Sequence, residues 1–128
     1  MGGNNKIPLE IKSEENFETA ESLYDEAKYH IAFSRYYYSI LQLMKARLIE
    51  ETEMTEEDFN DNTDISSHVF IFKNFKQRFN TSFTFDDFRE LKEKRINSDY
   101  YNNEMEEDIE VVNLAQQSLS QIKKAKIK

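Results

Sequence analysis

From Leu9 to Lys128 the chain contains no glycine and no proline: its only two glycines are Gly2 and Gly3, and its single proline is Pro8. Tight hairpins and most sheet connections depend on those two residue types. A chain without them over so long a run has helices joined by polar loops as its natural solution, and Glu, Lys, Leu, Gln and Ala are abundant, as that solution needs. Ten phenylalanines and seven tyrosines raise strand propensity locally, so the period of the apolar positions must decide. The chain's 128 residues amount to one domain, large enough to bury a core without metals or disulfides.

Several function classes fall away at once. There is no cysteine, hence no disulfide, thiol nucleophile or thiolate metal site, and a reducing, cytoplasmic location is the expectation. The N-terminus does not read as a signal peptide. The longest apolar stretch, Ile31 to Met44, is interrupted by Ser34, Arg35 and Gln42, so no membrane span is expected. A net charge of −8 argues against a surface that binds nucleic acid everywhere, and any RNA site must be a local basic patch. No histidine pair, HExxH spacing, calcium-loop pattern or glycine-rich phosphate loop is present, so neither metal nor cofactor is expected.

Along the chain, Met1 to Lys12 reads as a flexible leader, with one domain over residues 13–128. Ser13, followed by Glu14, Glu15 and Asn16, is the expected cap of a first helix whose buried stripe is Phe17, Ala20, Tyr24 and Ala27. A second helix, from Ile31 to Glu51, is apolar over more than half its circumference and is expected at the centre of the bundle. Glu50 to Asp64 holds eight acidic residues and no Lys or Arg, and reads as a solvated loop between helices. Ser66 or Ser67 is expected to cap a third helix with Val69, Phe72, Phe75 and Phe79 facing the core. A fourth helix carries Phe85, Phe88, Leu91 and then Arg95 at helical spacing, so a core stripe ends on a cation. A last helix, Glu104 to Lys124, is expected to bury Met105, Ile109, Val112, Ala115, Leu119 and Ile122. The architecture that follows is an all-α, antiparallel up-and-down bundle of four to five helices.

Three blocks then stand out in order: AKYHIAFSRYYYSILQLMKARLIE from Ala27 to Glu50, Ser67-His68-Val69, and Arg95-Ile96-Asn97-Ser98-Asp99-Tyr100. Together they resemble the HEPN family, small prokaryotic helical proteins of toxin-antitoxin and antiviral defence type. The resemblance implies a bundle that is often dimeric and frequently encoded beside a small nucleotidyltransferase. It also implies an Arg-centred site, paired across the dimer, that binds RNA or a nucleotide and in active relatives cleaves RNA without metal. In those relatives a His follows the Arg a few residues later. Arg95 fits the Arg, but Asp99, Tyr100 and Tyr101 occupy the places where the His would stand, and the chain's histidines are His30 and His68.

The candidate catalytic residues are therefore Arg95, as a phosphate clamp, with Asp99 and Tyr100. Arg35, Asn97 and Tyr101 are candidate RNA or nucleotide contacts, and Tyr100 or Tyr101 is a hydroxyl that a partner nucleotidyltransferase could modify. Plainer readings stand beside these. Arg95 and Asp99 are spaced for an ordinary ion pair on one helix face. His68 is more simply a residue beside a helix cap than a base, and Tyr36, Tyr37 and Tyr38 are more simply core aromatics than a stacking platform for bases. Lys73, Lys76, Arg78, Arg89, Lys92 and Lys94 could form a basic rim. The competing reading is a non-catalytic helical module that docks to a protein partner in a defence or nucleotidyltransferase complex.

Overall fold

The computed structural model describes residues 6–60, 65–100 and 106–128, with side chains throughout these except at 60, 65, 66 and 98–100. In chain order the elements are α1 (Pro8–Asp25), α2 (Tyr29–Glu51), α3 (Glu56–Asn60), α4 (Ile65–Arg78), β1 (Phe79–Asn80), α5 (Phe85–Tyr100), α6 (Ile109–Lys124) and β2 (Lys126–Ile127). The protein is an all-α bundle, as its sequence leads one to expect. Its two strands are two residues each and antiparallel, pairing Phe79 with Ile127 and Asn80 with Lys126. No helix among the described residues is long and apolar enough to cross a membrane.

Helix α2 is the axis of the bundle and packs against α1, α4, α5 and α6. Its Phe33, Tyr36, Tyr37, Ile40, Met44 and Leu48 are all buried. Around it the phenylalanines pack ring on ring. Phe72 of α4 stacks on Phe88 of α5 with centroids 4.9 Å apart, and Phe75 stacks on Phe79 at 4.5 Å. Aromatic content that suggests strands by propensity alone is thus used as helix-to-helix core. Val112, Ala115, Leu119 and Ile122 close the core from α6.

Several helix limits differ from those read in the sequence. Helix α1 begins at Pro8, with extended Ile7 as its cap residue, so Pro8 to Lys12 are its first turns rather than leader. Proline at the first helical position has its φ already set and lacks an N–H that would have no helical partner there. Ser13 lies inside the helix, 2% exposed, and its hydroxyl donates to the Ser39 carbonyl of α2 at 2.6 Å. The hydroxyl joins two helices instead of capping one. Ala27, expected in the buried stripe, lies beyond the helix end with φ of 62° and is exposed. The acidic segment is not wholly solvated: Met54 and Phe59 are buried, and α3 forms within it, Thr55 N–H donating to the Asp58 carboxylate at 2.8 Å. Ser66 and Ser67 lie within α4 rather than ahead of it.

The later helices show the same mix. At the start of α5, Thr84 and Asp87 cap each other reciprocally, Thr84 N–H to the carboxylate and Asp87 N–H to the hydroxyl, a capping box with Asp in place of Glu. Phe88 and Leu91 are buried as expected, but Phe85 is 46% exposed. Helix α6 starts at Ile109 with Asp108 as its cap, accepting from Val111 N–H. Ile109 is therefore a first-turn residue, 58% exposed instead of buried. The expected start at Glu104 and the burial of Met105 lie outside the described residues.

Candidate functional site

Arg95 lies one turn beyond Leu91 and two beyond Phe88 on α5, so the helix carries it from the buried stripe to the edge of the core. There its guanidinium meets α2. The carbon at its centre is 5.7 Å from the ring centroid of Tyr37 and 5.2 Å from that of Tyr38, and Nη2 donates to Tyr38 Oη at 2.6 Å. A half-buried guanidinium held over two aromatic faces gains attraction from the ring quadrupoles.

His68, on α4, reaches the same place. Its Nδ1 is 2.9 Å from Tyr37 Oη, and its ring packs against both tyrosines, with centroids 5.7 and 6.2 Å away. Burial holds its imidazole below the ordinary value of 6.5, and the positive charges of Arg95, Lys92 and Lys45 lower it further. The neutral ring therefore prevails near pH 7. Burial pushes the Tyr37 phenol well above its usual range, against a smaller opposite pull from Arg95. Tyr37 thus remains a protonated phenol that can give or take the bond to Nδ1, which leaves Nε2 of His68 as the nitrogen available to a ligand.

The structure therefore assembles Arg95, Tyr37, Tyr38 and His68 from three helices. Tyr36, adjacent in sequence, is separate: its buried ring packs edge-on against Phe17 and its phenol donates to Glu21 of α1. Arg35 faces α1 as well, where Nη1 donates to Asn16 Oδ1 at 2.9 Å, and Asn16 in turn donates to Gln42. Asn97 is exposed near the end of α5. The side chains of Asp99 and Tyr100, and Tyr101 altogether, lie outside the described residues. Of the basic rim, Lys94 pairs with Asp108 at 2.9 Å and Arg78 with Glu53 at 3.2 Å, while Lys76 donates to the Phe83 carbonyl at 2.8 Å. These three serve the fold. Among the described residues no group of His, Asp and Glu could hold a metal ion.

His68 is the residue whose place sequence spacing conceals, since it stands 27 positions before Arg95. The signal available for it was the Tyr-Tyr pair two helices away, whose hydroxyls need partners once buried. A model of the HEPN domain family matches residues 11–125 of the chain. No curated protein and no solved structure matches it.

Proposed function

The chain belongs to the HEPN domain family, and on that footing we propose that it is a toxin or defence component that binds RNA at the Arg95 site as a homodimer and cleaves it without metal. The observation that carries this reading is the convergence of a cation and a neutral imidazole on one aromatic pair. Arg95 is 5.2 Å from the ring of Tyr38, and His68 is bonded to the neighbouring Tyr37. The five donors of a guanidinium let Arg95 grip phosphate oxygens while Tyr38 holds it. In the tautomer whose Nδ1–H donates to Tyr37 Oη, Nε2 of His68 is bare and takes the proton of a ribose 2′-hydroxyl. The 2′-oxygen then bonds to the adjacent phosphorus, the bond from phosphorus to the 5′-oxygen breaks, the departing oxygen takes a proton from water, and the resulting hydroxide is neutralised by the proton that His68 gave up to solvent. In this reading His68 supplies from α4 what Asp99, Tyr100 and Tyr101 do not supply after Arg95. Asp99, Tyr100, Asn97 and Tyr101 are carried from the family resemblance as further RNA contacts in this reading. Tyr100 or Tyr101 is the hydroxyl a partner nucleotidyltransferase would modify to silence it.

The test is cleavage of a mixed RNA pool in excess EDTA, comparing wild type with Arg95→Ala, His68→Gln and Tyr100→Phe. We expect products ending in 2′,3′-cyclic phosphate, a loss of about 100-fold or more in the first two variants, and loss of RNA binding only in Arg95→Ala. Tyr100→Phe is expected to lower cleavage to a lesser degree, since its hydroxyl only adds a contact. RNA bound but left intact by the wild type would overturn the catalytic part and leave a binding module.

A further inference from the structure

Helices α4 and α5 both pack on α2, but their backbones scarcely approach each other. Rings span the gap: Phe72 stacks on Phe88 and meets Phe85 edge-on at 5.6 Å. Beside those rings lies a groove of about 310 Å³, bordered by Val69 of α4 and by Phe85, Phe88, Arg89, Lys92 and Ile96 of α5. Phe85 is 46% exposed, and Val69 and Ile96 are half-buried. Phe85, Phe88 and Ile96 fall on one face of α5, so that helix supplies an apolar strip. From Phe85 to Ile96 the strip runs roughly 16 Å.

The walls decide the shape of an occupant. Both are helices, whose backbone N–H and C=O groups are already paired within themselves. An extended chain laid between them would leave its own backbone unpaired, whereas a helix brings its hydrogen bonds with it. Roughly 16 Å accommodates about three turns of one. The rim decides the charge. Lys73 is exposed one turn beyond Val69 on α4, and Arg89 and Lys92 flank the strip on α5. Lys73 and Lys92 join no salt bridge among the described residues, and Arg89 has a 3.5 Å contact with Asp86 in which both side chains are mostly exposed. Such a pair exchanges for another carboxylate at little cost. Helix α4 carries Lys73, Lys76 and Arg78 and no carboxylate, in a chain with 25 Asp and Glu. Glu93 is the single acid among the described residues that line the groove. Carboxylates flanking an apolar stripe complement this rim. The backbone of an RNA strand would meet the cations but leave Val69, Phe85 and Ile96 uncovered.

We propose that this groove is a docking site for an acidic amphipathic helix of a partner protein, which covers Val69, Phe85 and Ile96 with its apolar stripe and sets its carboxylates against Lys73, Arg89 and Lys92. The groove runs alongside the Arg95 site, since Val69 follows His68 and Ile96 follows Arg95 in the chain, but neither His68 nor Arg95 lines it. The proposal holds whether or not that site cleaves RNA.

Titration of the full chain with side-chain-cross-linked helical peptides of about three turns tests it, the cross-link being needed because free helices so short are marginal in water. One peptide carries leucines at i, i+4 and i+7 with glutamates on both flanks, a second has lysines for the glutamates, and a third has alanines for the leucines. The first is expected to bind one per chain, about tenfold or more tighter than either of the others, and to move the NMR signals of Val69, Phe85 and Ile96. The double substitution Lys73→Glu with Arg89→Glu, at two exposed positions, is expected to reverse the preference between the glutamate and lysine peptides while leaving helicity and melting unchanged. No binding of the first peptide, binding indifferent to glutamate against lysine, or signals that move elsewhere would overturn the proposal. A Phe85→Ser variant that is a folded monomer where the wild type is a dimer would give the groove to a second copy, and RNA that moves the same three signals would give it to a nucleic acid; either result overturns it as well.

Discussion

Ala27 shows how much of this structure turns on single positions. Lys28 N–H bonds to the Leu23 carbonyl at 2.9 Å and Ala27 N–H to that of Tyr24 at 3.0 Å, which is the Schellman pattern with Ala27 in the left-handed place usually given to glycine. An alanine there costs about 1 kcal/mol through its Cβ, and because the side chain is exposed, nothing is lost by removing it. Ala27→Gly should therefore raise stability by about 1 kcal/mol in urea unfolding, and an unchanged midpoint would show that the turn carries no strain. His68 gives a second expectation, with the sign set by its lowered folded-state pKa. Below the ordinary imidazole value of 6.5 the unfolded chain takes up a proton that the folded protein refuses. Stability is thus full above that value and falls as the pH drops toward the folded-state pKa. A series of urea titrations from neutral to mildly acidic pH should show His68→Gln losing less than the wild type over that range. Parallel curves would mean that His68 is solvated.

At the scale of elements, α3 and the end of α6 are where sequence and structure part most instructively. A run of acids with no cation reads as solvated chain, yet Phe59 is 4% exposed and packs its ring against Phe70. Two apolar residues anchored in the core are enough to fold an acidic segment back onto it, and charge counting does not see them. Phe59→Ala should cost about 3 kcal/mol, whereas a solvated loop would lose no more than about 0.5 kcal/mol; thermal unfolding distinguishes the two. The helix limits that were legible are those set by period. The buried stripes of α2, α4 and α6 follow i, i+3, i+4 spacing, and their centres are where the sequence puts them. The limits that were not legible depend on partners far along the chain, as with Ser13, whose hydroxyl serves Ser39. The last turn of α6 is a case of the same kind. Arg47 of α2 donates through Nη1 to the carbonyls of Ile122, Lys123 and Ala125 at 2.8, 3.2 and 2.5 Å, and stacks 4.8 Å from the centroid of Phe79. It thereby satisfies carbonyls that a helix end leaves unpaired. Arg47→Ala should destabilise by about 2 kcal/mol, and Arg47→Lys should recover less than half, since an ammonium cannot fork and stack together. Full rescue by lysine would reduce the contact to simple charge.

Seen whole, the molecule carries a net charge of −8 yet gathers cations around His68, and that contrast governs how it can meet RNA at this site. The bundle was legible because missing glycines and a clear helical period leave little else. Arg95 was legible because its stripe runs out of the core. His68 was not, because the fold alone brings α4 to the Tyr37 and Tyr38 face of α2. The cations that gather there are Arg95, Lys45 and Lys92, the three whose charges act on His68, and Lys12 lines a cleft beside His68 together with Lys45. Few phosphates can be neutralised by so few groups. For a single strand each neutralised phosphate contributes roughly 0.7 to the slope of log affinity against log salt. RNA binding should then show a slope of roughly −2 to −3, far shallower than a protein basic over its whole surface would give. Arg95→Ala should flatten the slope by roughly 0.7, and Lys73→Gln, on an exposed position away from these contacts, should leave it unchanged. A steeper slope that Lys73→Gln also reduces would mean that the strand follows the outer surface of α4 instead, and that the acidic body repels RNA less than its net charge implies.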